Sequence, residues 1–148
     1  MAIIVRQLCA SDREKWEPLW HGYNLFYERP DLPREITEAA WRRFLDPDEP
    51  MHAAVAELDG ELVGIVHYLF HRSTTAVEDV CYLQDLFTAP ATRGLGVGRS
   101  LIEHVYEQAA RAGSRRVYWQ THEANPARKL YDRVAELTPF RRYVKELA

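Results

Sequence analysis

The sequence predicts a single α/β domain built on one mixed sheet, and three observations carry that reading. Short apolar, β-branched runs alternate with stretches of helical period; an Asp59-Gly60 pair separates two of those runs; and a glycine-alternating segment joins a strand to a helix. A chain of 148 residues is long enough to bury one core. Its 47% hydrophobic and 28% charged residues are the composition of a globular protein. No internal repeat, linker or low-complexity tract interrupts it, so residues 1–148 are expected to form one domain.

Residues 3–8 are apolar and β-branched, and Ala10-Ser11-Asp12 with Glu14 close behind is a capping signal, so a first strand passes into a helix. That helix carries Trp16, Leu19, Trp20, Tyr23, Leu25, Phe26 and Tyr27, and Pro30 and Pro33 are expected to stop it. A second helix is expected over residues 36–45, where Ala39, Ala40, Trp41, Phe44 and Leu45 supply an apolar face before Asp46-Pro47. Residues 52–58 and 61–70 flank Asp59-Gly60 and read as a hairpin. A further strand over residues 80–88 ends before Pro90. Val97, Leu101, Val105 and Ala109 then recur every four residues, the stripe of an amphipathic helix, with Gly113 as its stop. Residues 116–120 read as a strand, 126–135 as a short helix and 140–145 as a final strand. The expected order is β-α-α-β-β-β-α-β-α-β.

Lys and Arg number 19 against 22 Asp and Glu, a net charge of -3, which is too little positive charge for a nucleic-acid partner. Cys9 and Cys81 lack zinc-site spacing and disulfide density, and read as reduced core residues. No run of about 18 apolar residues is present, and no basic segment leads into an apolar one. These features predict a cytoplasmic protein with no membrane partner. His67 and His71 are four apart, but on a strand that separates them by roughly 13 Å, too far to share a metal. No metal is expected.

Residues 93–99 read Arg93-Gly94-Leu95-Gly96-Val97-Gly98-Arg99. A helix N-terminus has unpaired N–H groups and partial positive charge, so phosphate oxygens are natural ligands there. The alternating glycines remove side chains where a pyrophosphate would lie, and the two arginines add charge at either end. A Walker loop needs G-x-x-x-x-G-K-[ST], and this loop has no lysine. A dinucleotide fingerprint needs G-x-G-x-x-G and an acid ending the next strand; here the third glycine comes one residue early and the next strand ends in Trp119-Gln120.

The loop matches [QR]-x-x-G-x-[GA], and in this the sequence resembles the GNAT superfamily of acyl-CoA-dependent N-acyltransferases. The preceding Tyr82-Leu83-Gln84-Asp85-Leu86-Phe87-Thr88 is similar to the family's fourth strand, and Asn125 with Leu130-Tyr131 to its N…L-Y segment. The resemblance implies an α+β fold, a mostly antiparallel mixed sheet flanked by helices. It also implies acetyl-CoA as cosubstrate and transfer of the acetyl group to a primary amine of a small molecule such as a polyamine, an amino acid or an aminoalkyl metabolite; acetylation of a lysine or N-terminus on a protein, and CoA binding without turnover, for which Gln84 argues, are the alternatives.

Several residue roles follow from the resemblance. Leu86, Phe87 and Thr88 would line the donor, with a backbone N–H near Leu86 and Phe87 holding the oxyanion, and Asn125 would bond the pantetheine arm or its own turn. Tyr131 would protonate the departing thiolate. A substrate amine with a pKa near ~10.4 must lose a proton before it attacks. Y-L-Q-D-L-F is most similar to the polyamine and thialysine branch, where a glutamate precedes the aspartate. Gln84 stands in its place and cannot accept a proton, which leaves Asp85, Glu78, Asp79, His122 and Glu123 as candidate bases. In that branch a tyrosine-acid pair ending the first helix binds the cationic substrate, and Tyr27-Glu28 occupies the corresponding place, with Tyr23, Phe26 and Asp31 nearby. Family members are often dimers, and residues 140–145 offer a strand that could pair with a second copy.

Overall fold

The computed structural model describes residues 2–148. Five strands form one sheet in the order β1-β2-β3-β4-β5, antiparallel except for the last pair, which is parallel. They are β1 (Ile3–Gln7), β2 (Met51–Leu58), β3 (Glu61–His71), β4 (Val80–Thr88) and β5 (Val117–Tyr118). The helices are α1 (Arg13–Phe26), α2 (Arg34–Leu45), α3 (Val97–Arg111) and α4 (Arg128–Val134). The Asp59-Gly60 hairpin forms as expected, with φ of 52° and 80°, both in the left-handed region that a tight two-residue turn requires.

Strand alternation sends successive side chains to opposite faces and so divides the core in two. Ala53, Val55 and Ile65 face α1 and α2, where they pack with Leu8, Trp16, Leu19, Trp41 and Phe44. Ala54, Ala56 and Val66 face α3, where they meet Val97, Leu101, Ile102 and Val105. Burying one such large side chain contributes about 1.5–3 kcal/mol, so each helix is held mainly by its apolar stripe. Gly64 allows the α3 approach: a Cβ there would lie 2.8 Å from Val97 Cγ1.

Four expectations are corrected. α1 ends at Phe26, short of the prolines, because Glu28 takes a left-handed φ of 59°. Its N–H donates to Leu25 O at 3.0 Å, and Arg29 N–H reaches back to Asn24 O at 2.8 Å. This pattern caps the helix from outside. β5 spans two residues rather than five. With so short a template, residues 140–145 form no strand, and Phe140 and Tyr143 are 88% and 97% exposed. Cys81 is buried as expected, but Cys9 is exposed, since it sits at the turn after β1, where its N–H donates to Asp12 Oδ2 at 2.8 Å.

Candidate active site

The glycine segment turns from β4 into α3 through Gly94 (φ 85°) and Gly96 (φ 88°), conformations that side chains other than glycine's adopt only at a cost. Open space surrounds both: a Cβ at either would meet no atom within 4 Å. The first backbone bond of α3 runs from Ser100 N–H to Gly96 O at 3.0 Å, and Arg93 N–H and Leu95 N–H donate to Pro90 O and Thr92 O, each at 3.3 Å, so the amides left without an acceptor at the helix start are those of Gly96 to Arg99. Gly98 does something different. A Cβ there would lie 3.3 Å from Leu130 Cδ2, so this glycine lets α4 dock on the start of α3.

The flanking residues also divide. Arg93 lies over the Phe87 ring at 6.0 Å, with no carboxylate partner among the described residues. Arg99 pairs with Glu103 at 2.9 Å, so its charge is already matched within α3. Leu95 is exposed, and the Val97 side chain is buried in the core. Open amides, two left-handed glycines and unfilled space fit a diphosphate approached by backbone rather than by side chains.

β4 shifts register between its pairs Tyr68↔Leu83 and His67↔Asp85, leaving Gln84 as the extra residue. A bulge of this kind reverses the side-chain alternation beyond it. Leu83 therefore faces α3, whereas Asp85 and Phe87 turn to the α1 side, and Gln84 is exposed. β5 pairs β4 only at Cys81 and Tyr82, so the β5-side edge of β4 from Gln84 to Thr88 has no strand partner among the described residues.

Asp85 is oriented by a buried chain of hydrogen bonds. Trp16 Nε1 donates to His67 Nε2 at 3.0 Å, and His67 Nδ1 is 2.9 Å from Asp85 Oδ2. An indole N–H only donates, so Nε2 must be an acceptor and the imidazole proton sits on Nδ1, pointing at the carboxylate. His67 is 2% exposed, and its ring lies tilted against Phe44 at 4.4 Å. The pair is thus a neutral imidazole and a carboxylate, with net negative charge. The buried Tyr23 hydroxyl stands beside it; burial and then the Asp85 carboxylate push its pKa up.

An aromatic wall continues from Tyr23 to Tyr27, with ring centroids 4.9 Å apart. Tyr131 is half-buried and meets Trp119 edge-on at 5.5 Å; burial first, and the neighbouring Tyr27 second, push its hydroxyl up to about 12. Glu28 is exposed and serves as the left-handed cap residue. Asn125 spends its side chain on its own turn, accepting from Ala127 N–H at 2.9 Å and donating to Thr121 Oγ1 at 2.8 Å. Among the other candidate bases, Asp79 lies before β4 and pairs with Arg72 at 3.4 Å, and His122 Nδ1 accepts from Ala124 N–H at 3.1 Å. Glu78 is also in the loop before β4, and Glu123 is exposed. None stands on the bulge with Asp85. Among the described residues, no three His, Cys, Asp or Glu side chains converge as a metal site would require, and no helix is long and apolar enough to cross a membrane.

No spacing or motif in the sequence marks His67, Trp16 or Arg29 as site residues. The first two meet Asp85 only through sheet pairing and helix packing. Arg29 reaches the aromatic wall only because Glu28 reverses the chain.

The model of the acetyltransferase (GNAT) family matches residues 14–135, a stretch that includes the bulged strand, the glycine segment and Tyr131. The chain belongs to this family. It is 37% identical over 139 residues to the D-amino-acid N-acetyltransferase HPA3 of Saccharomyces cerevisiae, covering 92% of this chain and 86% of that protein. The uncharacterized N-acetyltransferase YhfO of Bacillus subtilis is 30% identical over 130 residues, covering 86% and 85%. In fold it resembles the aminoglycoside N-acetyltransferase AAC(6')-Iy solved in complex with CoA, with a TM-score of 0.82 and 20% identity over 99% of this chain and 96% of that one. The GNAT acetyltransferase is thus an enzyme of α+β fold.

Proposed function

We propose that this GNAT acetyltransferase moves the acetyl group of acetyl-CoA to a primary amine of a small molecule, with Asp85 as the base that receives the amine's proton. The observation that carries this is the bulge at Gln84, which turns Asp85 to the α1 side and against the hydrogen-bond-donating His67 of β3. Acetyl-CoA supplies a thioester carbonyl as electrophile; the free amides from Gly96 to Arg99 would hold its diphosphate, and the edge from Leu86 to Thr88 would meet its pantetheine arm.

The negative His67–Asp85 pair draws in the ammonium form of the acceptor. Asp85 then takes its proton, directly or through water, a role that contributes about 10²–10⁴-fold. Backbone N–H groups near Leu86 and Phe87 stabilise the developing oxyanion, worth about 3 kcal/mol. Tyr131 stays protonated at working pH and gives its proton to the leaving sulfur. Gln84 shapes the bulge and does not exchange protons. Asn125 fixes the turn that presents α4 and keeps one N–H for the pantetheine arm, and Tyr27 walls the acceptor side with Glu28 behind it.

The acceptor is a polyamine, an amino acid or an aminoalkyl metabolite. The name of the yeast relative supports a small amine. Calorimetric titration with CoA, followed by mass-spectrometric analysis of an amine panel incubated with acetyl-CoA, tests the reading. Binding accompanied by an N-acetylated small amine is the expected result. CoA binding with no acetylated product across polyamines, amino acids and lysine peptides defeats it.

A further inference from the structure

Arg29 lies on the same aromatic wall as Asp85 but carries the opposite charge. Its Cζ is 5.7 Å from the Tyr23 ring centroid and 5.5 Å from that of Tyr27. Nε donates to Asn24 Oδ1 at 3.0 Å, and the backbone N–H donates to Asn24 O at 2.8 Å. Asn24 is itself buried and fixed by its Nδ2 bond to Trp20 O at 2.9 Å. Two rings and one hydrogen bond therefore set the plane of the guanidinium.

What remains open is the end of the fork. The terminal nitrogens of Arg29 have no hydrogen-bond or acidic partner among the described residues, and the residue is exposed. A planar, oriented guanidinium with both terminal groups free is the arrangement that binds a carboxylate in bidentate fashion. Tyr23 connects the two charges: Asp85 neighbours its hydroxyl and Arg29 lies over its ring.

We infer that Arg29 anchors the carboxylate of a free amino acid whose amine is held at Asp85, so the site reads one amine and one carboxylate on the same small molecule. The inference rests on the acetyl-transfer reading above and narrows its acceptor. A polyamine fits this wall poorly. Its second ammonium group would need the aromatic faces of Tyr23 and Tyr27, and Arg29 already covers them with like charge. A lysine inside a peptide has no carboxylate beside its amine to meet the fork.

Matched pairs test this directly: alanine with ethylamine, phenylalanine with phenethylamine, and lysine with cadaverine, each assayed by thiol release from acetyl-CoA. The wild-type enzyme is expected to favour the amino acid in every pair. Loss of a charge-assisted pair means that Arg29→Gln should cut the amino-acid-to-amine ratio of kcat/KM by about tenfold or more, through KM for the amino acid. Arg29→Lys should restore part of the ratio. Wild-type turnover that ignores the carboxylate, or a ratio unchanged in Arg29→Gln, overturns the anchor and leaves acetyl transfer standing. No thiol release with any amine of either kind overturns acetyl transfer itself, and the anchor with it.

Discussion

His67 and Asp85 face each other across β3 and β4, with Nδ1 2.9 Å from Oδ2, and the Trp16 indole behind the imidazole keeps its proton directed at the carboxylate. Asp85→Asn removes the proton acceptor while keeping the shape, and should lower kcat by about 10²-fold or more. His67→Ala should also destabilise the fold, because it leaves a cavity beside Phe44 and an unpaired indole N–H; the expected loss is about 2–4 kcal/mol. Steady-state kinetics and urea unfolding separate the two effects.

Gly96 has φ of 88° with nothing near its missing side chain. Gly96→Val places a β-branched residue in a conformation it resists, at a cost of about 1–3 kcal/mol, and puts its methyl groups in the space assigned to the diphosphate. CoA affinity should fall by at least about tenfold, an equivalent of 1.4 kcal/mol, with far-UV circular dichroism unchanged. Wild-type affinity in a folded variant would remove the cradle from the donor site.

Tyr131 is the acid in the proposed reaction, and burial pushes its hydroxyl up to about 12. A required acid loses activity as pH rises through its pKa. Turnover should therefore show no Tyr131 limb near ~10, where an ordinary tyrosine titrates. Tyr131→Phe should lower kcat by about 10²-fold while CoA affinity holds. Equal turnover in that variant would assign the ring to packing alone.

Asp12 is buried and accepts two guanidinium bonds from Arg6, each of 2.8 Å. The Arg6 hydrogen bonds hold its carboxyl at about 2, below the ordinary 3.8. A depressed carboxylate stabilises the fold above its unfolded pKa and loses that contribution as pH falls through the folded one. Stability worth about 2 kcal/mol should thus disappear between about pH 4 and pH 2. Asp12→Asn should flatten that part of the pH-stability curve in denaturant titrations.

Glu28 is a non-glycine residue at φ 59° in the cap of α1. Glu28→Gly relieves the left-handed strain and should raise the unfolding free energy by about 0.5–1 kcal/mol. A loss of stability would show that the glutamate side chain contributes more than its backbone costs.

Much of the architecture was legible because it rests on local rules. The Asp59-Gly60 turn, the stripe from Val97 to Ala109 and the strand from Val80 to Thr88 each depend on residues within one element, and each formed where its pattern lay. The last strand did not, because pairing of residues 140–145 needs a partner edge and β5 is only two residues long. The turn at Gly94 and Gly96 could be read from their order alone, since a left-handed backbone favours glycine. The charge on Arg99 could not, because its partner Glu103 is a matter of side-chain placement.

The sequence by itself determined the glycine-alternating loop, the strand from Val80 to Thr88 and the family, because those reside in contiguous residues. Only the tertiary structure decided what surrounds Asp85. Trp16, His67 and Asp85 come from a helix and two strands, and Arg29 joins Tyr23 and Tyr27 through the chain reversal at Glu28. The directions of those side chains are set by sheet register, helix docking and one left-handed residue, and none of these is written in the spacing of the residues they bring together.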